Sequence, residues 1–555
     1  MRLIQITSEN NNVVKDYPVG IDYMSIAYDQ NIKLKGGILG VYATNKIQEL
    51  NFTPIRPATV RFFGLDTADG QSVYARTLFF VLYAAIHDLF RDYNVTLEFP
   101  VSSGYFCTAK KGKKQLNPDE IQQVKNRMLE IIKADIPITR IDILTDDAIK
   151  LFEDHGLSAK TKLLRTRGSM YTSVYSLGSA VDYFYGYLAP STGCLSVFDI
   201  FPYKYGMVLS VPDEDNDFKT PKVFVEEEMI FNNYAEFTRW QDAFQLNTVG
   251  ELNEAILDGR VSDIIKVVET SQEVRIHEAA YKIAQMKKKV KIILIAGPSS
   301  SGKTTSAQRL AIHLEVLGIK CYKLSLDDYF VDRENTPRDK NGNYDFETID
   351  AIDIKFFNKQ LNDLLDGKEI ELPRFDFHTG KRVFRGEKLK LSENDMVVIE
   401  GLHGLNPNLV PNVDPKCVYK IFVSTLTTIS IDGHNIIPPT DNRLIRRIVR
   451  DQRFRGYSAE DTIKRWPSIR EGEKKYIEPY QGNADFTFNS AMLYGLGVLK
   501  TYVRPLLEQV PQTSRAYSEA HRLSKFMSYF ESVSIDEIPP TSLMREFLGG
   551  SSFKD

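Results

Sequence analysis

The chain has 555 residues, 43% of them hydrophobic and 26% charged, a composition typical of a globular protein with room for about three or four domains. The formal net charge of −3 at pH 7 provides no global positive field for nucleic acid or an anionic membrane. The four cysteines have neither metal-binding nor disulfide spacing, and no apolar run resembles a signal peptide or spans a bilayer. These features exclude a disulfide scaffold and a membrane-spanning protein, and we expect a cytoplasmic location.

The pattern of the N-terminal half predicts two small domains followed by a helical connector. Residues 1–65 alternate short apolar segments with turn residues, which is typical of a small β-rich unit. Residues 66–220 contain a helical stretch at Tyr74–Arg91, an amphipathic helix at Pro118–Ala134 and extended segments, and they predict an α+β domain. Residues 221–288 carry many charges at helical spacing, so we interpret them as a connector to the C-terminal half, residues 289–555.

The N-terminal half contains four short motifs: Tyr17-Pro-Val-Gly20, Tyr74-Ala-Arg-Thr-Leu-Phe-Phe80, Val95-Thr-Leu-Glu98 leading into Gly104-Tyr-Phe106, and Ala134-Asp-Ile-Pro-Ile-Thr-Arg140. In these motifs it resembles the N-terminal portion of threonyl-tRNA synthetases. The resemblance implies a ubiquitin-like TGS domain in residues 1–65 and a second-additional-domain-like fold in residues 66–220. In the synthetases that second domain edits mischarged tRNA with two histidines, but here Phe80 and Ala84 stand in their register, so we do not expect editing. RNA binding, aided by the basic run Lys110–Lys114, stays open as an alternative.

A glycine-bounded loop between a predicted strand and a predicted helix carries the strongest functional signal. The stretch Gly297-Pro-Ser-Ser-Ser-Gly302-Lys303-Thr304 matches a phosphate cradle, in which the glycines let successive backbone amides point at phosphate oxygens. In such a loop the lysine reaches the β- and γ-phosphates, and the next hydroxyl can ligate Mg²⁺. The predicted ATP-binding residues are Gly297, Ser299, Ser300, Ser301, Gly302, Lys303, Thr304 and Thr305.

Two acidic residues are predicted at the carboxyl ends of strands beside this loop, where ligands of open α/β sheets bind. Asp327 follows the apolar segment Ile319–Ser325, and Glu400 ends another apolar segment. We predict that Asp327 accepts the proton of an attacking hydroxyl and that Glu400, with Thr304, positions Mg²⁺. The neighbouring Asp328 fits a structural capping role better than a catalytic one.

An arginine-rich segment completes the predicted site. Residues 443–456 place arginines at i, i+3, i+4 and i+7, so several of them share one face of a helix. In a phosphate-handling domain, such a cluster is expected to close over the transferring phosphoryl group and neutralise its charge.

The C-terminal half resembles the uridine kinase and phosphoribulokinase family over residues 291–499. The motifs that carry the resemblance are Gly297–Thr304, Ser325–Phe330, Tyr344–Glu347, Pro373–Phe377, Val398–Gly401, Arg443–Gly456 and Ile477–Asp485. The resemblance implies a parallel α/β P-loop kinase fold, MgATP as donor, and the 5′-hydroxyl of a uridine- or cytidine-like nucleoside as acceptor. The implied catalytic residues are Asp327, Lys303, Arg447 and Arg450. The implied substrate-binding residues are Asp327, Tyr329, Glu347, Phe375, His378, Arg447 and Arg455. The whole chain resembles bacterial nucleoside kinases fused to synthetase-like domains.

The positions that read the acceptor depart from the family pattern. Glu347 stands for an aspartate, Phe375 stands for a tyrosine, and His378 falls two positions before the family's histidine, where this chain has Gly380. Because a lost polar partner can change specificity by orders of magnitude, a purine nucleoside, a sugar phosphate or another alcohol stays open as acceptor.

Two further segments carry expectations of their own. The insertion at Thr427–Pro439, just before the arginine-rich segment, is expected to be an ordered loop or flap that could reshape the acceptor pocket. The stretch Gly549–Ser552 is expected to be a flexible end. We also expect a homo-oligomer that binds a small-molecule acceptor and no membrane.

Overall fold

The computed structural model describes residues 2–226, 228–338, 342, 344–376 and 378–553. The last residue of the predicted motif 373–377 therefore lies outside the described residues. Within the described residues, no helix is both long enough and apolar enough to cross a membrane.

The first unit is a small mixed sheet with a helix packed on it. Its elements are β1 (Leu3–Ser8), β2 (Val13–Pro18), α1 (Tyr23–Asp29), β3 (Gly40–Ala43), β4 (Lys46–Gln48) and β5 (Ala58–Phe63). The strand order is β2-β1-β5-β3-β4, with β1 and β5 parallel and the other pairs antiparallel. Alternate residues such as Ile4 and Ile6 face a core shared with Ile26. This β-rich character agrees with the prediction for residues 1–65, whereas the ubiquitin-like assignment stays a prediction.

The second unit combines helices with two antiparallel sheets, β12-β13-β7-β6 with β8 on β7, and β11-β10-β9. Its elements are α2 (Ala68–Leu89), β6 (Asn94–Val101), β7 (Gly104–Lys111), β8 (Lys114–Gln115), α3 (Pro118–Lys133), β9 (Thr139–Leu144), α4 (Thr145–Asp154), α5 (Ser158–Arg167), β10 (Tyr171–Leu177), β11 (Ala180–Asp182), β12 (Asp199–Tyr203) and β13 (Gly206–Ser210). Helix α2 is apolar on most of its circumference, so it lies buried in the centre of this unit. Asn117 and Glu120 form a capping box that starts α3.

Three helices follow: α6 (Glu228–Phe244), α7 (Val249–Leu257) and α8 (Val261–Gln285). Helix α8 is more than a linker, because Ile276 and Ile283 share one hydrophobic core with Ile293 and Leu310 of the C-terminal half. Gln272 of α8 also donates a hydrogen bond to the carbonyl of Asn489 at 3.0 Å. The helix therefore covers one face of the C-terminal sheet.

The C-terminal half is built on a parallel sheet flanked by helices. Its elements are β14 (Ile292–Ala296), α9 (Lys303–Val316), β15 (Cys321–Ser325), α10 (Ile354–Leu365), β16 (Ile370–Asp376), β17 (Lys381–Leu389), β18 (Met396–Glu400), β19 (Val418–Ser424), α11 (Pro439–Arg455), α12 (Ala459–Tyr476), β20 (Phe486–Asn489), α13 (Gly495–Glu508), α14 (Tyr517–Met527) and α15 (Arg545–Leu548). The order β15-β18-β14-β19-β20 is parallel throughout. Strand β14 is central and fully buried, as expected for a strand covered on both faces. The predicted parallel α/β fold is confirmed.

The insertion before α11 docks into the N-terminal half. Buried Lys160 of α5 forms ion pairs with Asp182 at 2.6 Å and with Asp432 of the insertion at 3.1 Å. The ring of His434, also in the insertion, contacts Asp182 at 2.8 Å and the carbonyl of Val95 at 3.1 Å. The insertion is thus an ordered strut between the two halves.

The end of the described chain is anchored and not the flexible end that its composition predicted. The amide of Gly549 donates to the carbonyl of Arg545 at 2.8 Å, and the amide of Ser552 donates to the carbonyl of Pro540 at 2.9 Å. The reason lies in the preceding segment, where Leu543, Met544, Phe547 and Leu548 are fully buried in the main core. Burial of these side chains fixes the glycine-serine stretch that follows.

Candidate active site

The loop between β14 and α9 has the backbone geometry of a phosphate cradle. Gly302 (φ 83°) and Ser300 (φ 60°) adopt left-handed conformations that turn the backbone inward. A Cβ atom at Gly297 would lie 2.4 Å from the carbonyl oxygen of Val423, so only glycine fits there. The buried hydroxyls of Ser300 and Ser301 have no hydrogen-bond partner among the described residues, which suits a loop that binds an oxygen-rich anion.

Helices α11 and α12 brace this cradle. The backbone amide of Ser299 donates to Glu473 Oε1 at 3.0 Å, and its hydroxyl accepts a hydrogen bond from Arg447 Nη1 at 2.6 Å. Arg443 donates to both carboxylate oxygens of Glu473, at 2.6 and 2.7 Å. Burial opposes ionisation of Glu473, but Arg443 and Arg470 outweigh it and hold its pKa below the ordinary value. The cradle is therefore tied to a buried, charged pair.

Asp327 lies in the short turn after β15. Its backbone amide donates a hydrogen bond to Ser325 Oγ at 3.4 Å. Burial raises the pKa of its carboxyl group, while the nearby charges of Lys303, Arg455 and Arg450 act in the opposite direction. The structure thus brings the predicted base to the cradle lysine and to two of the predicted arginines.

Glu400 ends β18 next to the first turn of α9. Its Oε1 accepts hydrogen bonds from Ser325 Oγ at 3.1 Å and, more weakly, from Thr304 Oγ1 at 3.4 Å. Burial, and to a smaller extent the charge of Asp327, raises its pKa to about 7 against the opposing charge of Lys303.

These two residues fit a Mg²⁺ ion. A buried carboxylate with a raised pKa gains from a cation beside it, and carboxylate and hydroxyl oxygens are the ligands that Mg²⁺ prefers. The described part of the chain has no cluster of three or more His, Cys, Asp or Glu side chains that could hold a metal alone. The pair Thr304 and Glu400 suits a site that shares its ion with phosphate and water.

Glu347, a predicted substrate-binding residue, interacts electrostatically with the same group, because the charges of Asp327 and Lys303 act on its carboxylate. Its side chain is buried against Gly472, and its Oε2 has no hydrogen-bond partner within the part of the chain that the structure describes. Burial raises its pKa to about 7, with Glu473 adding to the rise and Arg447 opposing it. The buried ring of His403 lies beside the backbone of Glu347, and burial lowers the pKa of the ring to about 4, so it is neutral at pH 7.

Three other predicted substrate residues have contacts or exposure of their own. The hydroxyl of Tyr329 donates to Gln360 Oε1 at 3.0 Å within the core, so we expect the residue to support the turn that carries Asp327. The buried ring of Phe375 packs edge-on against Phe330 at 5.6 Å. His378 is exposed in the turn between β16 and β17.

Asp328 has a structural role, though not that of a helix cap. Its carboxylate accepts hydrogen bonds from the backbone amide of Phe375 at 3.1 Å and from Arg374 Nη1 at 3.2 Å. It therefore attaches the β16–β17 hairpin to the turn that carries Asp327.

The arginines of α11 divide between two roles, where the sequence predicted one phosphate-facing cluster. Arg446 is fully buried and donates to the carbonyl of Ser490 at 2.9 Å, so it holds the helix against the sheet. Arg450 lies near Asp327, and burial lowers its pKa to about 10. Arg455 is half exposed and pairs with Asp451 at 3.4 Å. The helical repeat predicted the residue types but not which of them the core would use.

The structure also adds residues that the sequence did not single out, and it gives Arg443 of the predicted arginine cluster a bracing role. Glu473 braces the cradle together with Arg443, and His403 lies beside Glu347. In addition, the carboxylate of Glu546 in α15 accepts hydrogen bonds from the amide of Thr305 at 3.2 Å and from its hydroxyl at 2.7 Å. No local signal could have found these contacts, because they join residues up to 241 positions apart.

The sheet, the cradle and the acidic residues at the strand ends define a P-loop kinase fold. The model of the Phosphoribulokinase / Uridine kinase family matches residues 292–493. The uridine kinase of Ligilactobacillus salivarius is 31% identical over 230 residues, 41% of this chain and 99% of that protein. The uridine kinase of Lactobacillus helveticus is 31% identical over 195 residues, 35% of this chain and 83% of that protein. The chain belongs to the phosphoribulokinase/uridine kinase family through this C-terminal region.

Among solved structures, one described as "a Possible Uridine Kinase from Bacillus stearothermophilus" is 23% identical, with a TM-score of 0.27, and the match covers 39% of this chain and 97% of that chain. These relatives match only part of the present chain, and the family match does not include its N-terminal half.

Proposed function

We propose that the protein is an ATP-dependent kinase that transfers the γ-phosphate to the 5′-hydroxyl of a nucleoside, with a uridine- or cytidine-like acceptor. The observation that carries this proposal is the position of the Asp327 carboxylate in the turn after β15, where the charges of Lys303 and Arg450 act on it. The similarity to uridine kinases over residues 292–493 supports the nucleoside acceptor.

In this proposal Asp327 accepts the proton of the attacking hydroxyl as its oxygen bonds to the γ-phosphorus and the bond to the ADP oxygen breaks. Lys303 and Arg450 neutralise the charge that develops on the transferring group, and Arg447 holds the cradle through Ser299. Thr304 and Glu400 would hold Mg²⁺, which would supply further neutralisation of the phosphate oxygens.

The acceptor is placed by the buried Glu347, whose carboxylate is suited to accept hydrogen bonds from sugar hydroxyls. A kinase for another alcohol or a sugar phosphate is the second candidate. Two observations support it: Phe375 offers no hydroxyl to a base, and His378 is exposed in its turn.

An RNA-binding role for the N-terminal half is less well supported. In the basic run, Lys110 lies 3.8 Å from Glu98, Lys111 lies 2.8 Å from Asp92, and Lys114 lies 3.2 Å from Glu120. These acids offset the positive charge that phosphate contacts would need. The synthetase-like assignment of residues 1–220 stays part of the proposal and not its basis.

The test is a coupled ADP-release assay with ATP across ribonucleosides, deoxynucleosides and sugar phosphates. We expect a pyrimidine ribonucleoside to give the highest kcat/KM and to yield its 5′-monophosphate. The Lys303→Ala variant is the background control. Preferential turnover of a sugar phosphate would show that the acceptor is a sugar phosphate and not a nucleoside. If the wild type released ADP no faster than Lys303→Ala with every acceptor, the kinase proposal would be overturned.

A further inference from the structure

The C-terminal helix α15 places a carboxylate on the phosphate cradle. Glu546 Oε2 accepts hydrogen bonds from the backbone amide of Thr305 at 3.2 Å and from its hydroxyl at 2.7 Å. Thr305 lies in the first turn of α9, where the backbone amides have no partner within the helix and favour an anion. The glutamate therefore occupies a donor group of the cradle that would otherwise bind a phosphate oxygen.

The segment around Glu546 is built into the same wall. Leu543 lies against Gly302, where a Cβ atom would approach its Cδ1 to 2.7 Å. Phe547 packs below the guanidinium of Arg446 at 5.1 Å. This segment lies outside residues 292–493, so the family match does not account for it.

The charge of Glu546 reaches further into the site. It raises the pKa of Glu400, although burial, Lys303 and Asp327 act on that group more strongly. It also acts on Arg446 and Arg450 of α11. A carboxylate so close to the cradle repels a polyphosphate as long as it stays in place.

We propose that Glu546 is an internal competitor of the phosphate donor: its carboxylate occupies the Thr305 amide in the free protein and must leave it when ATP binds. This inference rests on the proposed function only in naming ATP as the donor. The residue sets the affinity for the donor and takes no part in the chemical step.

The buried environment decides which part of the segment moves. Leu543, Met544, Phe547 and Leu548 are fully buried, and exposing such apolar side chains to water is unfavourable. The backbone of α15 therefore stays in place, and the Glu546 side chain alone rotates away. Donor binding replaces one anion at the Thr305 amide by another.

The test compares Glu546→Gln with the matched control Glu537→Gln, which removes an exposed carboxylate from the same C-terminal region. ATP binding is measured by calorimetry, and the KM values for ATP and for the acceptor are measured by ADP release. We expect the Glu546→Gln variant to bind ATP about tenfold more tightly than the wild type, because the repelling charge is gone. Its KM for ATP should fall by a similar factor. The acceptor KM and the behaviour of Glu537→Gln should match the wild type.

General damage to the fold would weaken ATP binding. A gain in ATP affinity therefore distinguishes competition by Glu546 from a purely structural role of this residue. Equal or weaker ATP binding by Glu546→Gln, while the wild type binds ATP and turns over, overturns this inference and leaves the kinase proposal standing. A lack of ATP binding by both proteins overturns the proposed function and the competition together.

Discussion

The carboxylate of Glu473 joins the phosphate cradle to Arg443. Its Oε1 accepts hydrogen bonds from the backbone amide of Ser299 at 3.0 Å and from Arg443 Nη1 at 2.6 Å. Both side chains of the ion pair are almost fully buried. Glu473 thus links α11, α12 and the cradle electrostatically. Loss of its charge on α12 should therefore alter the position of the cradle loop.

The first prediction concerns this unit. Glu473→Gln leaves Arg443 buried without its counter-charge, which we expect to lower the free energy of unfolding by about 3 kcal/mol. The loosened Ser299 should also raise the KM for ATP. Urea denaturation and ADP-release kinetics measure the two effects.

Glu471→Gln is the matched control, because Glu471 is an exposed residue of the same helix. Its stability and KM should stay near wild type. Equal behaviour of the two variants would contradict the bracing role of Glu473.

The second prediction separates two adjacent aspartates. Asp327→Asn removes the proposed proton acceptor, and we expect kcat to fall by roughly 10²–10⁴-fold while the fold is kept. Asp328→Asn alters only the link to Arg374 and Phe375, so kcat should stay within about threefold of wild type. Steady-state kinetics and thermal unfolding test both variants, and substantial phosphate transfer by Asp327→Asn would remove it from the role of base.

The third prediction is a pH dependence of metal binding. Because the pKa of Glu400 is raised to about 7, its proton must leave before a cation binds, and Mg²⁺ affinity should rise with pH up to about 7 and stay level above it. At pH 6 we expect binding about tenfold weaker than at pH 8, measured as the Mg²⁺ concentration that gives half-maximal activity. Glu400→Gln should lose this pH dependence, and a flat profile in the wild type would contradict the assignment.

The same group affects stability in the opposite direction. A raised folded-state pKa means that the folded protein binds the proton more tightly than the unfolded chain does. The contribution of Glu400 is therefore fully present below its unfolded pKa of about 4.3 and is lost as pH rises through about 7. Denaturant unfolding at several pH values should show this loss reduced in Glu400→Gln.

The fourth prediction concerns the strut between the two halves. Lys160→Met leaves Asp182 and Asp432 buried without their cation, and we expect the free energy of unfolding to fall by about 3–5 kcal/mol. Lys162 lies on α5 like Lys160 and forms a partly exposed ion pair with Glu251 of α7. Lys162→Met removes this pair and should lower the free energy of unfolding by less than about 1 kcal/mol. Guanidinium denaturation compares them, and a similar loss for both variants would show that the strut is not held by charge.

The sequence predicted the parts of the site that depend on neighbouring residues. The cradle follows from glycines at fixed spacing, and Asp327 and Glu400 follow from acids at the ends of apolar strands. Interactions that depend on distant packing were not predictable in this way. The Ser299–Glu473 contact joins residues 174 positions apart, and no local pattern encodes such a distance.

The sequence also did not reveal which polar residues of a given helix or turn are used for internal packing. Tyr329 and Arg446 have the chemistry of ligand-binding groups, but both side chains are buried and form hydrogen bonds within the protein, to Gln360 and to the carbonyl of Ser490. A binding role for Tyr329 stays a prediction. The insertion shows the same limit, because its Asp432 is explained only by Lys160, which lies on a helix of the other half.

The packing of α8 determines where the protein can be divided for experiments. The family match begins at residue 292, yet the core that contains Ile293 and Leu310 also contains Ile276 and Ile283 of α8 and Phe547 near the C-terminus. A fragment cut at the family boundaries would lose side chains from both ends of its own core and expose apolar surface that promotes aggregation. The homologous region is thus a unit of ancestry, whereas the smallest piece that folds alone must be wider.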